Sequence, residues 1–252
     1  KIMRDAVTLT GIVLSSAPSG EYDKRVVILT KERGKITAFA RGARRPNSAL
    51  LASTGSFAFG TFLLYEGRDA YSLVQANISN YFSELMSDFG GAYYGMYFCE
   101  LADYYTRENN DEIQIMKLLY QSLRALTKKS LERELVRYIF ELKIFTYAGE
   151  YPEVFCCTQC GSQEKLQIFS MFQNGMVCEN CKVKAKDGLK LHPSTVYTMQ
   201  YIVSTEVERL YTFAVSEEVL SEIRMVLDRW RERYLDKTMK SLEILESVKD
   251  IC

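Results

Sequence analysis

The spacing of hydrophobic residues changes along the chain, from every second position before residue 80 to every third or fourth position after it. Period two is typical of strands, and the first part of the chain holds several short segments of this kind. The predicted strands are Val7–Leu14, Lys24–Thr30, Lys35–Arg41, Ser56–Glu66 and Ala70–Ala76. Five short strands within about 80 residues predict a small barrel. Gly60, inside the fourth strand, predicts a bulge or a sharp bend.

The third predicted strand shows the alternation most clearly. Ile36, Ala38 and Ala40 fall on one face, whereas Phe39 shares the other face with the basic residues at the two ends of the strand. The segment 42–55 that follows is rich in Arg, Pro, Ser and Gly, which is typical of a loop.

The helical period begins at Ser83. The first helical stripe runs from Leu85 to Tyr104, and further helices are predicted over Glu112–Leu126, Leu131–Tyr147, Ser216–Tyr234 and Thr238–Val248. Ser216 is a predicted N-cap, because two glutamates follow it in the first helical turn. The fold class is therefore α+β with several domains. We predict a barrel domain over 1–80, helical parts over 81–152 and 188–252, and a cysteine module over 153–187.

The composition narrows the class of protein. The chain has 252 residues, of which 47% are hydrophobic and 25% are charged, as in ordinary globular proteins. No apolar run approaches the roughly 20 residues of a membrane helix, and the segment 1–14 lacks the apolar core of a signal peptide. The seven cysteines are odd in number, and five of them lie between positions 156 and 181. We therefore expect a reducing intracellular compartment, the cytoplasm.

The net charge is zero, but it is unevenly distributed. Residues 1–80 contain 11 Lys and Arg and 6 Asp and Glu, which leaves +5 there and −5 for the rest of the chain. Such asymmetry suggests a partner with charge of its own. Chance variation between solvated surfaces is the alternative.

The cysteine module contains the spacing C-x2-C-x17-C-x2-C, formed by Cys157, Cys160, Cys178 and Cys181. Two pairs of this kind place four thiolates around one ion, and thiolates favour zinc or an iron–sulfur cluster. We predict one Zn²⁺, with a cluster or free thiols as alternatives. Four cysteines leave no open position for water or substrate, so the predicted zinc is structural.

The register of the first pair is open, because Cys156 precedes Cys157 and a spacing of three is also permitted. We prefer Cys157, since it gives both pairs the same spacing. Cys99 lies in a helical stripe and is a predicted core residue.

Catalytic motifs are missing from the sequence. The single histidine, His192, precedes Pro193 at a predicted helix start and has no motif around it. There is no phosphate-binding glycine loop of either common type. We therefore expect a binding protein rather than an enzyme, with a hydrolase that uses scattered acids as a remote alternative.

Basic residues cluster in and after the second and third strands. The candidate nucleic-acid contacts are Lys24, Arg25, Lys35, Phe39, Arg41, Arg44 and Arg45. Cations that follow phosphates and a ring that stacks on bases suit single-stranded nucleic acid. A solvated basic face is the alternative.

The run Gly20–Ser48 resembles the N-terminal signature of the bacterial RecO family. The resembling features are Gly20-Glu21, Asp23-Lys24, Thr30, Gly34-Lys35, Ala40 to Arg44 and, near the end of the chain, Lys240-Ser241-Leu242. The later order of a helical region and a four-cysteine module also agrees with this family. The resemblance covers essentially the whole chain, and Gly20–Ser48 is its most specific part.

The resemblance implies an N-terminal OB-fold, a helical domain and a zinc finger. It implies a role in the RecF pathway of recombinational repair, with binding of single- and double-stranded DNA and annealing of complementary strands. The implied protein partners are RecR, the C-terminal tail of single-stranded-DNA-binding protein and, indirectly, RecA. The implied location is the cytoplasm, at the nucleoid. An interaction adaptor with incidental DNA affinity is the alternative function.

Overall fold

The computed structural model describes residues 6–248 of the chain. They form two compact units. Among the described residues, the first contains 6–129 together with 239–248, and the second is Ser130–Thr238. The four predicted domains are contiguous in sequence, and that finer division stays a prediction. Within the described residues, none of the helices combines the length and the apolar character needed to cross a membrane.

The first unit begins with a closed five-stranded barrel. Its strands are β1 (Ala6–Ser19), β2 (Asp23–Thr30), β3 (Gly34–Ala40), β4 (Phe59–Tyr65) and β5 (Tyr71–Asn80). They are hydrogen-bonded in the order β1-β2-β3-β5-β4, and β4 returns to β1. The barrel predicted from the sequence is therefore present. A simple meander describes only β1 to β3, because β3 pairs in parallel with β5 rather than with β4.

β2 and β3 differ from their predicted bounds by one residue at most at either end, and β5 continues to Asn80, four residues past its predicted end. The differences in β1 and β4 have identifiable reasons. β1 is longer, because the segment Ser15–Ser19, in which three of the five residues are serines, pairs with β2 through its backbone and needs no apolar side chains to do so. β4 starts later, because Phe57 has a left-handed backbone with a φ of 71°, which is incompatible with a strand.

Gly60 lies where β4 and β5 come closest. A Cβ at this position would stand 2.1 Å from the carbonyl oxygen of Asn77. The pairing register of the two strands shifts between Phe59 and Gly60, as expected of a bulge. The predicted bend is confirmed.

The interior of the barrel is filled by side chains from alternate positions of the strands. It includes Ile36, Ala38 and Ala40, the residues predicted to share one face of the third strand. Other members are Leu9, Val13, Val26, Ile28, Phe62, Leu64 and Leu73. The segment predicted as a loop between β3 and β4 contains a single helical turn, α1 (Leu50–Ser53), which contributes Leu50 to this core.

Three helices follow the barrel in the first unit: α2 (Ser83–Ser87), α3 (Phe89–Tyr105) and α4 (Ile113–Leu126). The first predicted helical stripe is therefore interrupted at Asp88. The backbone of Asp88 is extended, and its side chain accepts a hydrogen bond from Gly91 N at 3.1 Å, so it acts as the N-cap of α3.

The last helix of the chain, α8 (Lys240–Val248), packs on α3 within the first unit. Glu100 of α3 accepts hydrogen bonds from the backbone N–H groups of Lys240 at 3.3 Å and Ser241 at 2.9 Å, and from the Ser241 hydroxyl. A carboxylate at a helix N-terminus satisfies donors that the helix itself leaves unpaired. The residues Lys240-Ser241 that carry part of the family resemblance are therefore the point where α8 attaches.

The second unit contains α5 (Arg133–Ala148), α6 (Pro193–Ser204) and α7 (Glu217–Tyr234), together with a small sheet of β6 (Leu166–Ser170), β7 (Gly175–Cys178) and β8 (Leu189–Lys190). Ser216 caps α7 as predicted, since its hydroxyl accepts from Val219 N.

Lys143 caps the C-terminal end of α6. Its ammonium donates to the carbonyl oxygens of Ile202, Val203 and Thr205, at 3.1, 2.8 and 2.6 Å. Burial lowers the pKa of this amine. The three carbonyls satisfy the three donors of the buried ammonium and replace the water that it has lost.

Candidate metal centre and nucleic-acid interface

The first pair of module cysteines lies on a tight knuckle of the backbone. Cys157 N donates to Ser162 O at 2.7 Å, and Gly161 N donates back to Cys157 O at 2.8 Å. This turn requires a φ of 75° at Gly161, which glycine adopts without strain. Cys178 ends β7, and Cys181 follows in a 3₁₀ helix over Glu179–Lys184.

These elements bring the four sulfur atoms of Cys157, Cys160, Cys178 and Cys181 within 4.8 Å of one another. The Cys160 and Cys178 sulfurs are 3.7 Å apart. Four thiolates at about 2.3 Å from one zinc ion would stand about 3.8 Å from each other, so the cluster has the dimensions of a tetrahedral metal site. Cys156 lies outside the cluster, and its N–H donates to Glu153 Oε1.

The surroundings of the sulfurs also favour a bound cation. Burial raises the pKa of Cys157, but the N–H groups of Cys178, Gln159 and Cys160 outweigh it and bring that pKa to about 6. A thiol hydrogen bond with Cys160, followed by burial, raises the pKa of Cys181 to about 12. The lowered pKa of Cys157 favours the thiolate form that binds a metal, whereas the raised pKa of Cys181 means that a bound cation would have to displace its proton.

In the first unit, the two ends of the Gly20–Ser48 run fold against each other. Asp23 Oδ1, at the start of β2, accepts from Gly42 N at 2.8 Å, just after the end of β3. Arg44 N donates to Tyr22 O at 2.8 Å. The β1–β2 turn and the segment after β3 are therefore one structural element, although about 20 residues separate them.

Arg44 stabilises this element. Its guanidinium Nη1 donates to the carbonyl oxygens of Gly20 at 3.3 Å and Glu21 at 3.1 Å. Gly20 has a φ of 68°, so the turn exposes carbonyls that need a donor. Arg44 lies among the predicted contacts, and part of its hydrogen-bonding capacity holds the turn.

Arg25 and Phe39 are directly opposite each other on β2 and β3 and share the outer face of the barrel. The Phe39 side chain is 38% exposed, and Arg25 Nη2 lies 3.4 Å from the Thr37 hydroxyl on the same face. Arg41 is exposed at the end of β3. The structure thus places an exposed ring directly opposite one predicted cation, Arg25, and two residues before another, Arg41.

Tyr22 is a residue of this surface that the sequence reasoning missed. It is 43% exposed in the β1–β2 turn, and the Arg45 guanidinium carbon lies 5.1 Å from its ring centroid, within the range of a cation–π contact. The available signal was an aromatic residue beside Asp23-Lys24 in the resembling run. We call the set Tyr22, Arg25, Phe39, Arg41, Arg44 and Arg45 the basic barrel face.

The two lysines among the predicted contacts are engaged elsewhere. Lys24 points to the inner side of β2, where its Nζ donates to Thr54 Oγ1 at 3.1 Å and Leu51 O at 3.3 Å. Burial and the nearby Arg44 lower its pKa. Lys35 Nζ lies 2.5 Å from Asp103 O and 3.0 Å from Asp103 Oδ1, on α3. Contact of either lysine with nucleic acid stays a prediction.

His192 and Cys99 have structural surroundings. His192 is the N-cap of α6, and its Nδ1 accepts from Ser194 N at 3.2 Å. Cys99 is buried in α3, and its burial strongly raises the pKa of its thiol.

Comparison with known proteins supports the resemblance to the RecO family over both units. A family model described as Recombination protein O N terminal matches residues 3–82, and one described as Recombination protein O C terminal matches residues 86–243. The chain is 32% identical over 241 residues to DNA repair protein RecO of Bacillus pumilus, covering 96% of this chain and 94% of that one. It is 31% identical over 240 residues to DNA repair protein RecO of Alkaliphilus metalliredigens, covering 94% and 98%.

DNA repair protein RecO of Bacillus subtilis is 30% identical over 241 residues, which cover 96% of this chain and 94% of the relative. The two family models cover the barrel and most of the rest of the chain, including the four-cysteine cluster. Together these matches show that the chain belongs to the RecO family of DNA repair and recombination proteins.

Proposed function

We propose that this protein is a recombination mediator of the RecF pathway. It binds single- and double-stranded DNA, anneals complementary strands and helps to load recombinase onto DNA coated by single-stranded-DNA-binding protein. The observation that carries the proposal is the basic barrel face, where Arg25, Arg41 and Arg45 lie beside two exposed rings. In OB-folds the ligand binds across strands two and three and the loops that follow strands one and four. Of these elements, β2, β3 and the β1–β2 turn contribute to this face here.

The chemistry of this face suits a flexible single strand. Guanidinium groups contact successive phosphates, and Tyr22 and Phe39 stack on bases of any sequence. Annealing needs no covalent chemistry, so the proposed protein is not an enzyme. It holds two strands close together by neutralising their phosphates, and base pairing between the strands then releases them as a duplex.

We further propose one structural Zn²⁺ held by Cys157, Cys160, Cys178 and Cys181. The dimensions of the sulfur cluster support zinc, and four cysteines close the coordination sphere. The ion supplies folding free energy to residues 153–187, which include only short strands and a single 3₁₀ helix. No role in contact with DNA at the barrel is assigned to it.

The proposed protein partners are RecR, the C-terminal tail of single-stranded-DNA-binding protein and, indirectly, RecA, in the cytoplasm at the nucleoid. Membership of the family supports partners in the recombination machinery. A cleft of about 550 Å³ in the second unit is a candidate for the tail, since it lies where α6 and α7 begin and has Tyr197, Tyr201 and Phe213 in its lining. The rings favour the apolar side chains of such a tail.

Strand annealing tests the main proposal. Complementary oligonucleotides, one carrying a donor and one an acceptor dye, are coated with single-stranded-DNA-binding protein and mixed with the protein. The expected result is annealing that depends on this protein and persists on coated strands. Annealing at the uncatalysed rate with coated and uncoated strands would contradict it.

The cleft also supports the second candidate, an interaction adaptor with incidental DNA affinity. The two functions differ in what a barrel variant does. If Arg25→Ala, Arg41→Ala and Arg45→Ala together remove annealing but leave binding of a dye-labelled tail peptide intact, the mediator is supported. If the triple variant anneals like the wild type, DNA affinity of the barrel is incidental and the adaptor is favoured.

A further inference from the structure

An exposed aromatic residue also lies in the cysteine module, at the tip of the β6–β7 hairpin. Phe172 is 76% exposed in the four-residue turn Met171–Asn174. In the adjacent 3₁₀ helix, Val183 is 80% exposed. Single exposed apolar residues are common, so exposure alone assigns no role to Phe172.

Several hydrogen bonds hold the turn that carries Phe172. Phe172 N donates to Asp187 Oδ2 at 3.1 Å, Gln173 N donates to Ser170 Oγ at 3.2 Å, and Asn174 N donates to Met171 O at 3.2 Å. Side chains add to this, since Gln173 Nε2 donates to Lys184 O and the Tyr234 hydroxyl donates to Asn174 Oδ1. The backbone is therefore fixed, while the ring it presents remains in solvent.

Three basic residues belong to the segments that hold this turn. The Arg233 guanidinium donates to Met171 O, the residue before Phe172. Lys184 contributes the carbonyl that binds Gln173, the residue after Phe172, and Lys186 precedes Asp187, which binds Phe172 N. Both lysine side chains are exposed. Asp187, the acid of this group, is directed inward to Phe172 N and the Ser170 hydroxyl.

We propose that Phe172, Lys184, Lys186 and Arg233 form a second contact for single-stranded nucleic acid, separate from the basic barrel face. The ring stacks on a base, and the three cations contact the phosphates on either side of it. We call these four residues the module contact. The inference rests on the proposed function, because it assumes that the protein binds single strands.

The shape of the module contact favours a nucleic acid over a protein. A ring at the tip of a convex turn buries only part of its surface against another protein, whereas stacking on a base needs one face of the ring. Cations beside the ring repel basic partners and attract phosphates. Because the turn is already ordered, little conformational entropy is lost on binding.

The proposed zinc site is connected to the module contact through two short segments of the chain. β7 runs from the Phe172 turn to Cys178, and the 3₁₀ helix that contains Cys181 ends at Lys184. Loss of the metal should therefore release the ring and the lysines together. The effect on DNA binding should equal that of removing the module contact and should leave the contribution of the barrel intact.

The test uses the full-length protein in its zinc-loaded form and dye-labelled oligo(dT), with affinities measured by fluorescence anisotropy. Phe172→Ala and the double variant Lys184→Ala with Lys186→Ala are each made in the wild type and in the triple barrel variant. Phe89→Ala is a matched control, because Phe89 is 58% exposed on α3 of the first unit. Lys128→Ala with Lys129→Ala controls for charge. Photocrosslinking with bromodeoxyuridine then locates the bound strand.

We expect Phe172→Ala to weaken binding about fivefold or more, since stacking on one base is worth about 1 kcal/mol or more. The same factor should appear in the triple barrel variant, and a crosslink should map to residues 165–190. Unchanged affinity for both module variants, with no crosslink in that segment, overturns the module contact even if the barrel variant binds weakly. Absence of binding by the wild type overturns the proposed function as well.

Discussion

Replacing Arg25, Arg41 and Arg45 with Ala tests the basic barrel face most directly. These arginines are chosen because their guanidinium groups have no strong structural task among the contacts described. Arg25 makes one 3.4 Å hydrogen bond, Arg45 lies over Tyr22, and Arg41 is exposed. Arg44 is left unchanged, because its removal would release the Gly20 and Glu21 carbonyls and alter the shape of the turn.

The magnitude follows from counterion release. Each phosphate contact on a single strand contributes about −0.7 to the slope of log affinity against log salt, so three lost contacts make the slope shallower by about 2.1. If the plots of the variant and the wild type meet near 1 M salt, the variant binds about 100-fold more weakly at 0.1 M salt. This factor corresponds to about 2.9 kcal/mol of binding free energy.

The assay is titration of dye-labelled oligo(dT) at five or six salt concentrations. The control removes the same charge elsewhere, with Lys129→Ala, Arg209→Ala and Arg229→Ala, all of which are exposed. Both variants change the net charge from 0 to −3, so a general loss of attraction affects them equally. Local contact with phosphates affects only the barrel variant.

Equal slopes for the barrel variant and the wild type would refute the assignment of these three arginines. Equal loss of slope in the barrel variant and the control would mean that DNA responds to overall charge rather than to this face. A slope that changes by about 0.7 would assign one contact rather than three.

Three further predictions concern the metal and the stability of the two units. Elemental analysis should find one zinc per chain. Cys178→Ser or chelation should accelerate hydrogen exchange in residues 153–187, while replacement of Arg25, Arg41 and Arg45 still changes the salt dependence of DNA binding. Loss of all DNA binding after chelation, with the fold intact, would show that the barrel has been wrongly assigned as the main DNA site. Lys143→Met should lower the free energy of unfolding in urea by about 3 kcal/mol, because three carbonyls lose a charged donor; an unchanged midpoint would show that these bonds contribute nothing net. Glu100→Ala should lower the free energy of unfolding by about 1 kcal/mol, as removal of a helix cap does. It should also let the amides of α8 exchange before those of the barrel. Simultaneous exchange of α8 and α3 would contradict this prediction.

Local signals were sufficient for most of the elements. The second and third strands, the end of α7 at Tyr234 and the N-cap at Ser216 follow from periodicity and capping residues, which act over a few positions. The cysteine spacing likewise predicted the sulfur cluster, because two residues between ligands suit a turn that closes on one ion.

Local sequence signals did not predict the contacts between distant parts of the chain. The parallel pairing of β3 with β5 depends on closure of the barrel rather than on either strand alone. The attachment of α8 to Glu100 joins residues 140 and 141 positions apart, and nothing local in either segment indicates the other. The same is true of Lys35 and Asp103.

The basic barrel face shows clearly which features the sequence determines and which depend on the tertiary structure. The sequence by itself determined which residue types are present, the faces of β3 and the family to which Gly20–Ser48 is similar. Only the tertiary structure decided that Tyr22 belongs to the face, that Arg44 holds the turn and that Lys24 and Lys35 are engaged with other parts of the first unit. The physical reason is that a charged side chain takes the nearest partner in space, and periodicity along the chain specifies the direction of a side chain but not its partner.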